Sequence, residues 1–147
     1  MTPLRKTRYP SLKTKQKTMS KTNLLIDCQK YLDQDLNLSY DNLGCAASVG
    51  ILLFKHTGRA SFLTPSTIKL EETLEKWAKE VTTETAKAGD VIIIATNGFK
   101  VGHVGILGEN GIIYANSSSK RVWSKMTVNQ WKQQFQSHKK PRYFNVL

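Results

Sequence analysis

The stretch AGDVIIIATNGFKVGHVGILGENGIIYAN, residues 88–116, sets the fold class. Val91–Ala95 is a β-branched apolar run, Asn97-Gly98 marks a turn, and Val101–Leu107 is a second run. Glu109-Asn110-Gly111 marks another turn before a third run, Ile112–Asn116. Short apolar runs separated by Asn-Gly signals predict consecutive antiparallel strands. Downstream, Arg121–Trp123 predicts a short fourth strand and Arg142–Val146 a closing one. Between them, Thr127-Val128-Asn129-Gln130 has the pattern of a capping box, a Thr cap with Gln three residues on. It opens a helix with Val128, Trp131 and Phe135 facing inward.

Upstream of residue 88 the period is helical. Leu24, Leu25, Cys28, Tyr31, Leu32 and Leu36 recur at helical spacing, which predicts a first helix reaching about residue 36. Asn37–Gly44 reads as a loop. A second helix begins near Cys45 and runs through Phe54 to about Gly58, apolar nearly all round and so suited to burial on several sides. A third follows Thr64-Pro65-Ser66-Thr67, with Leu70, Leu74, Trp77, Ala78 and Val81 on one face. Helices followed by an antiparallel sheet make an α+β fold, with the N-terminal helices packed on a small sheet.

A chain of 147 residues is one domain, long enough to bury a core without disulfides or metals. No segment approaches the run of about 18 apolar residues that a membrane span needs. The net charge of +11 is uneven: residues 1–22 hold seven cations, from Arg5 to Lys21, and no acid, which leaves +4 elsewhere. Rich in Thr, Ser, Lys and Pro, residues 1–22 read as a disordered basic arm ahead of a folded domain at 23–147. The arm is a solvated tail or a polyanion contact. It lacks the apolar stretch of about 7–15 residues of a secretory signal, so synthesis is expected to be cytoplasmic, with virion association or release to the cell wall by another route. The chain is expected to be a monomer. Two cysteines do not make a disulfide framework.

Cys45 stands where chemistry is favoured. A thiol attacks as its thiolate, and the unpaired N–H groups and dipole of a helix start favour negative charge. Gly44 permits a tight backbone turn, and Ala46 and Ala47 leave the helix start uncrowded. Position alone leaves open a second reading, a small buried hydrophobe. Cys28 lies inside the apolar stripe of the first helix and reads as core. His103 occupies a strand, with alternation placing it with Gly105 and Leu107 opposite Val104 and Ile106. Its flanking glycines leave space around the ring. His56, at a helix end, and His138, in a Lys-rich loop, read as solvent-facing. A third group must fix the imidazole tautomer. Asn116 is preferred, with Tyr114 on the same strand face as the alternative. An oxyanion hole draws on the backbone N–H of Cys45, with Tyr40 and Asn42 as upstream candidates.

Together these pieces resemble the NlpC-type cysteine peptidases of the papain-like superfamily and their relatives among phage-encoded cell-wall hydrolases. The resemblance rests on Leu43-Gly44-Cys45-Ala46-Ala47-Ser48-Val49, Ala88-Gly89-Asp90-Val91-Ile92, His103-Val104-Gly105-Ile106, and Gly111-Ile112-Ile113-Tyr114-Ala115-Asn116-Ser117-Ser118. It covers roughly residues 24–147. It implies a papain-like fold and hydrolysis of amide bonds in peptidoglycan stem peptides through an acyl-enzyme on the cysteine, with no metal or other cofactor. The chain departs from the family's common Asp-Cys-Ser-Gly motif, carrying Gly44-Cys45-Ala46-Ala47, and from its frequent third histidine. Two rival readings stand beside this one: a thiol acyltransferase or deamidase effector acting on a protein, and a non-catalytic module whose basic arm grips nucleic acid. The folded part has no zinc spacing, phosphate loop or basic helix with interleaved aromatics to favour the latter.

Overall fold

A computed structural model describes residues 21–36 and 44–147. Helix α1 covers described residues 21–30, α2 is Gly44–Thr57 and α3 is Thr67–Trp77, with a 3-10 turn at Ala60–Phe62 between the last two. The strands are β1 Lys79–Val81, β2 Val91–Ile94, β3 His103–Leu107, β4 Ile112–Ser117, β5 Val122–Thr127 and β6 Arg142–Asn145, with α4, Val128–Gln134, before β6. All strand pairs are antiparallel, in the order β1-β6-β2-β3-β4-β5. The α+β arrangement follows the sequence reading. No helix among the described residues is long and apolar enough to cross a membrane.

The strand period of two divides the apolar residues between two layers. Val91, Ile93, Val104, Ile106, Tyr114 and Phe144 face α1, α2 and α3, packing with Leu24, Cys28, Val49, Leu52, Leu53, Phe62, Leu70 and Leu74. Ile92, Ile94, Ile113 and Leu107 face the other way, against Trp131, Val128 and Phe135 of the α4 segment. Cys28 is core, as expected, and burial together with the neighbouring Asp27 charge pushes its thiol to about 12. Both cysteines are free. The capping box is present in full: the Thr127 hydroxyl accepts from the Gln130 N–H at 3.1 Å, and Gln130 Oε1 accepts from the Thr127 N–H at 2.8 Å.

Tertiary contacts move several boundaries. The first helix stops at residue 30 and not 36, because Asp33 takes a left-handed φ of 67° and the chain there turns to the sheet. The Asp33 N–H donates to the Trp123 carbonyl at 2.7 Å, and the Trp123 N–H donates to the Gln34 carbonyl at 2.8 Å. The Trp123 indole also donates to the Cys28 carbonyl at 3.0 Å. Helix α3 ends at Trp77, since Ala78 is extended, and Val81 belongs to β1 where it pairs with Tyr143. Trp77 is exposed rather than inward, with the Arg59 guanidinium 3.6 Å from its ring centre. The basic arm does not reach residue 22: residues 21 and 22 are helical, and Lys21 pairs with buried Asp90 at 2.9 Å. Residues 1–20 lie outside the described part.

Candidate active site

Helix α2 and strand β3 bring the two expected reactive groups to the lining of one cleft from opposite faces of the sheet, with no hydrogen bond between them among the described residues. α2 is buried along most of its length and lies on the sheet over β3 and β4. Its first turn carries Cys45, where the nearby backbone of Ala46, of Val104 and of Cys45 itself favours the thiolate. Val104 directly follows His103, the first residue of β3. A cleft of about 440 Å³ is lined by Gly44, Cys45, His103, Asn116, Phe135 and His138, with residues 99–102 forming its lip.

The electrostatics hold both groups neutral. Burial raises the Cys45 thiol above its ordinary value, and the backbone hydrogen bonds offset this only in part. Burial pulls the His103 imidazole down from 6.5 to about 4. His103 is 8% exposed, and its ring packs in a three-ring cluster with Trp131 at 5.1 Å and Phe135 at 5.2 Å, the latter stacked at 22°. The aromatic rings cover one side of the imidazole, and the cleft opens beside it. Gly102 is required for a different reason: a Cβ there would stand 2.1 Å from the Ile94 carbonyl oxygen.

A depressed histidine value makes stability pH-dependent in a defined direction. Between pH 6.5 and about 4 the unfolded chain binds a proton on His103 that the folded chain refuses. The contribution is complete above pH 6.5 and is lost as pH falls toward 4, amounting to about 3 kcal/mol. Denaturant titrations at pH 7 and pH 4.5 are expected to show this loss in the wild type and a smaller one in His103→Phe, which keeps an aromatic ring in the stack. Equal losses in both proteins would show that His103 does not carry it.

The third group is placed differently from expectation. The register Ile106↔Tyr114 and Leu107↔Ile113 puts Tyr114 and Asn116 on the α2 face, opposite His103. Asn116 still lines the cleft, being near the end of β4, but its Oδ1 accepts from the Ser48 hydroxyl at 3.4 Å. No hydrogen bond joins it to His103 among the described residues. Tyr114 lines a separate depression with Leu25, Ile26 and Gln29, away from Cys45. Tyr40 and Asn42 lie outside the described residues.

Two other histidines differ from their reading. His56 is not solvent-facing: its Nε2 lies 2.7 Å from Asp27 Oδ2, and Lys55 reaches the same oxygen at 2.8 Å. Burial raises the Asp27 carboxyl, but hydrogen bonds from Lys55 and His56 outweigh it and leave the value lowered. His138 belongs to the cleft wall. Its Nε2 donates to the Val101 carbonyl at 3.2 Å, and its ring meets Phe135 edge-on. The facing lip is fixed by Thr96, whose hydroxyl accepts from the Gly102 N–H at 2.9 Å and whose N–H donates to Thr67 Oγ1 at 3.0 Å. Lys100 Nζ donates to the Ser137 carbonyl, and Phe99 between these anchors is fully exposed. His138, Phe135, Trp131 and Phe99 are the site residues that the sequence reading missed. No local motif marks them: Trp131 and Phe135 stack on His103, His138 is held by the Val101 carbonyl, and Phe99 stands on the loop between β2 and β3.

Comparison with known proteins follows the geometry. The model of the NlpC/P60 family matches residues 21–140. Among solved structures, the chain is similar to the NlpC/p60 domain of the peptidoglycan hydrolase SagA, with 18% identity and a TM-score of 0.60, covering 86% of this chain and 98% of that one. It is also similar to a lipoprotein-like NLP/P60-family protein from Staphylococcus aureus subsp. aureus Mu50, with 18% identity and a TM-score of 0.57 over 87% of this chain. The chain covers 42% of that second protein. No curated protein matches it. At such identity the two likenesses show a shared papain-like fold.

Proposed function

The chain belongs to the NlpC/P60 family, and from that premise we propose that it hydrolyses amide bonds of peptidoglycan stem peptides through a thioester on Cys45. The observation that carries the proposal is the single cleft holding Cys45 at the start of α2 and His103 at the start of β3. The similar domain of SagA is named as part of a peptidoglycan hydrolase, which supports the same substrate here.

Because burial keeps the thiol and the imidazole neutral, the chemistry starts from a neutral pair and not from a preformed ion pair. His103 takes the Sγ proton as sulfur attacks the scissile carbonyl carbon. The developing oxyanion is received by backbone N–H groups of the first turn of α2, which have no intrahelical partner. Collapse breaks the C–N bond, and His103 returns the proton to the leaving amine. Water, deprotonated by His103, then attacks the thioester and frees the acid and the thiol. Asn116 acts in this scheme as a positioning residue, holding β4 to α2 through Ser48 at the edge of the cleft. The six cations of residues 1–20 suit contact with anionic wall polymers.

Transfer of the acyl group to a protein amine would use the same first half-reaction, so the substrate is the quantity to test. Incubation with purified peptidoglycan is expected to release new free amino groups and no new reducing ends. Reducing ends without amines, or no release at all, would contradict the proposal.

A further inference from the structure

The second face of the sheet carries an opening that the hydrolytic chemistry does not use. A groove of about 560 Å³ runs between α4 and the segment that enters β6. Its apolar lining includes Ile92, Ile94, Leu107 and Ile113 of the sheet and Trp131 and Phe135 of the α4 segment. Lys132, Lys139 and Lys140 stand among the lining residues, and none of the lining residues is acidic. This volume is that of a small-molecule site, and an apolar body with a few polar groups is the usual make-up of one. The groove adjoins the catalytic cleft, since Phe135 and His138 line both.

One polar group of the groove wall lacks a partner. Trp131 is only 2% exposed, yet its indole Nε1 has no hydrogen-bond acceptor among the described residues. A buried indole N–H is a donor only, and leaving it unpaired costs about 1–3 kcal/mol. The groove therefore offers hydrocarbon contact and three lysines with no acidic residue in its lining, with the unpaired Trp131 N–H shielded behind its wall. A ligand that answers both the apolar lining and the lysines has an aliphatic body and an anionic end.

We propose that this groove binds one fatty-acid-like carboxylate, with its chain over Ile92, Ile94, Leu107 and Ile113 and its carboxylate toward the lysines. The ligand-sized groove favours a single chain over a bilayer surface, and the one-sided positive charge favours the carboxylate over a neutral amphiphile. The site is independent of the hydrolytic reading, and its test does not use activity.

The full-length protein is titrated with dodecanoate below its micelle concentration, following the indole N–H resonance of Trp131. The expected result is a saturable shift with one ligand per chain and an affinity at least about tenfold above that for dodecanol. The double variant Lys139→Glu/Lys140→Glu is expected to lose about tenfold for dodecanoate and to bind dodecanol unchanged. Ala86→Trp, which puts a large ring at a residue lining the groove, should abolish both. Equal affinity for acid and alcohol, no effect of charge reversal, or association with anionic vesicles without a one-to-one dodecanoate complex would each overturn the proposal. Tighter binding of an acidic amphipathic peptide than of dodecanoate would overturn the choice of occupant.

Discussion

Cys45→Ala is expected to lower peptidoglycan cleavage by about four orders of magnitude or more while the protein stays folded. The loss follows from removing the atom that bonds to the substrate; no neighbouring group in the cleft offers a second thiol, since Cys28 is core. The substitution should be structurally mild. Cys45 is only partly buried and stands in the first turn of α2 beside Ala46 and Ala47, so alanine suits the local backbone. His103→Gln removes the base and keeps a polar side chain, and should cost about 10²–10⁴-fold in kcat with a smaller change in KM. Amine release from purified wall, with circular dichroism as the folding control, checks both. Retained cleavage by the alanine variant would show that the cleft works without its sulfur.

The largest stability effect is expected at Gly50, in the middle of the same helix. A Cβ at this position would stand 2.1 Å from the Phe62 carbonyl oxygen and 3.2 Å from its carbon. The obstacle is backbone, belonging to the 3-10 turn at Ala60–Phe62, so no side-chain rotation can relieve it. Either α2 moves away from the turn or the turn unwinds, and both open the core around Leu53 and Phe62, which are fully buried. Gly50→Ala should therefore cost at least about 3 kcal/mol, the upper end of overpacking effects. Against a domain stability of about 5–15 kcal/mol, Gly50→Val should leave little folded protein. Denaturant midpoints measure the effect. An unchanged midpoint for Gly50→Ala would mean that the approach of α2 to Phe62 is looser than described.

Much of this architecture is readable from residue patterns alone. Periods of 3.6 and 2 separate the helices from the strands, and the Thr127–Gln130 capping box marks the start of α4 to the residue. Cys45 at a helix start and Cys28 in an apolar stripe are distinguishable for the same reason: each position follows from one helix's own pattern. The misreadings share a different origin. Val81 extends the helical spacing of Leu74 and Ala78, and only pairing with β6 makes it a strand residue. Leu36 continues the stripe of α1, but Asp33 and Gln34 exchange hydrogen bonds with Trp123, far along the chain. Asn116 and His103 each sit correctly on their strands. Their relation depends on the β3–β4 register, which a one-residue slip would invert. The aromatic stack on His103 and the turn of His138 into the cleft are packing outcomes, and no local motif encodes them.

The covalent step is the centre of the account, and trapping it is the most direct test. Wild-type protein is mixed with a soluble stem-peptide fragment, quenched with acid during turnover, and weighed intact by mass spectrometry. The expected result is an added mass equal to the acyl half of the fragment, carried by the peptide containing Cys45 and absent from Cys45→Ala. Continued turnover by the alanine protein, or an adduct on another residue, would contradict the account.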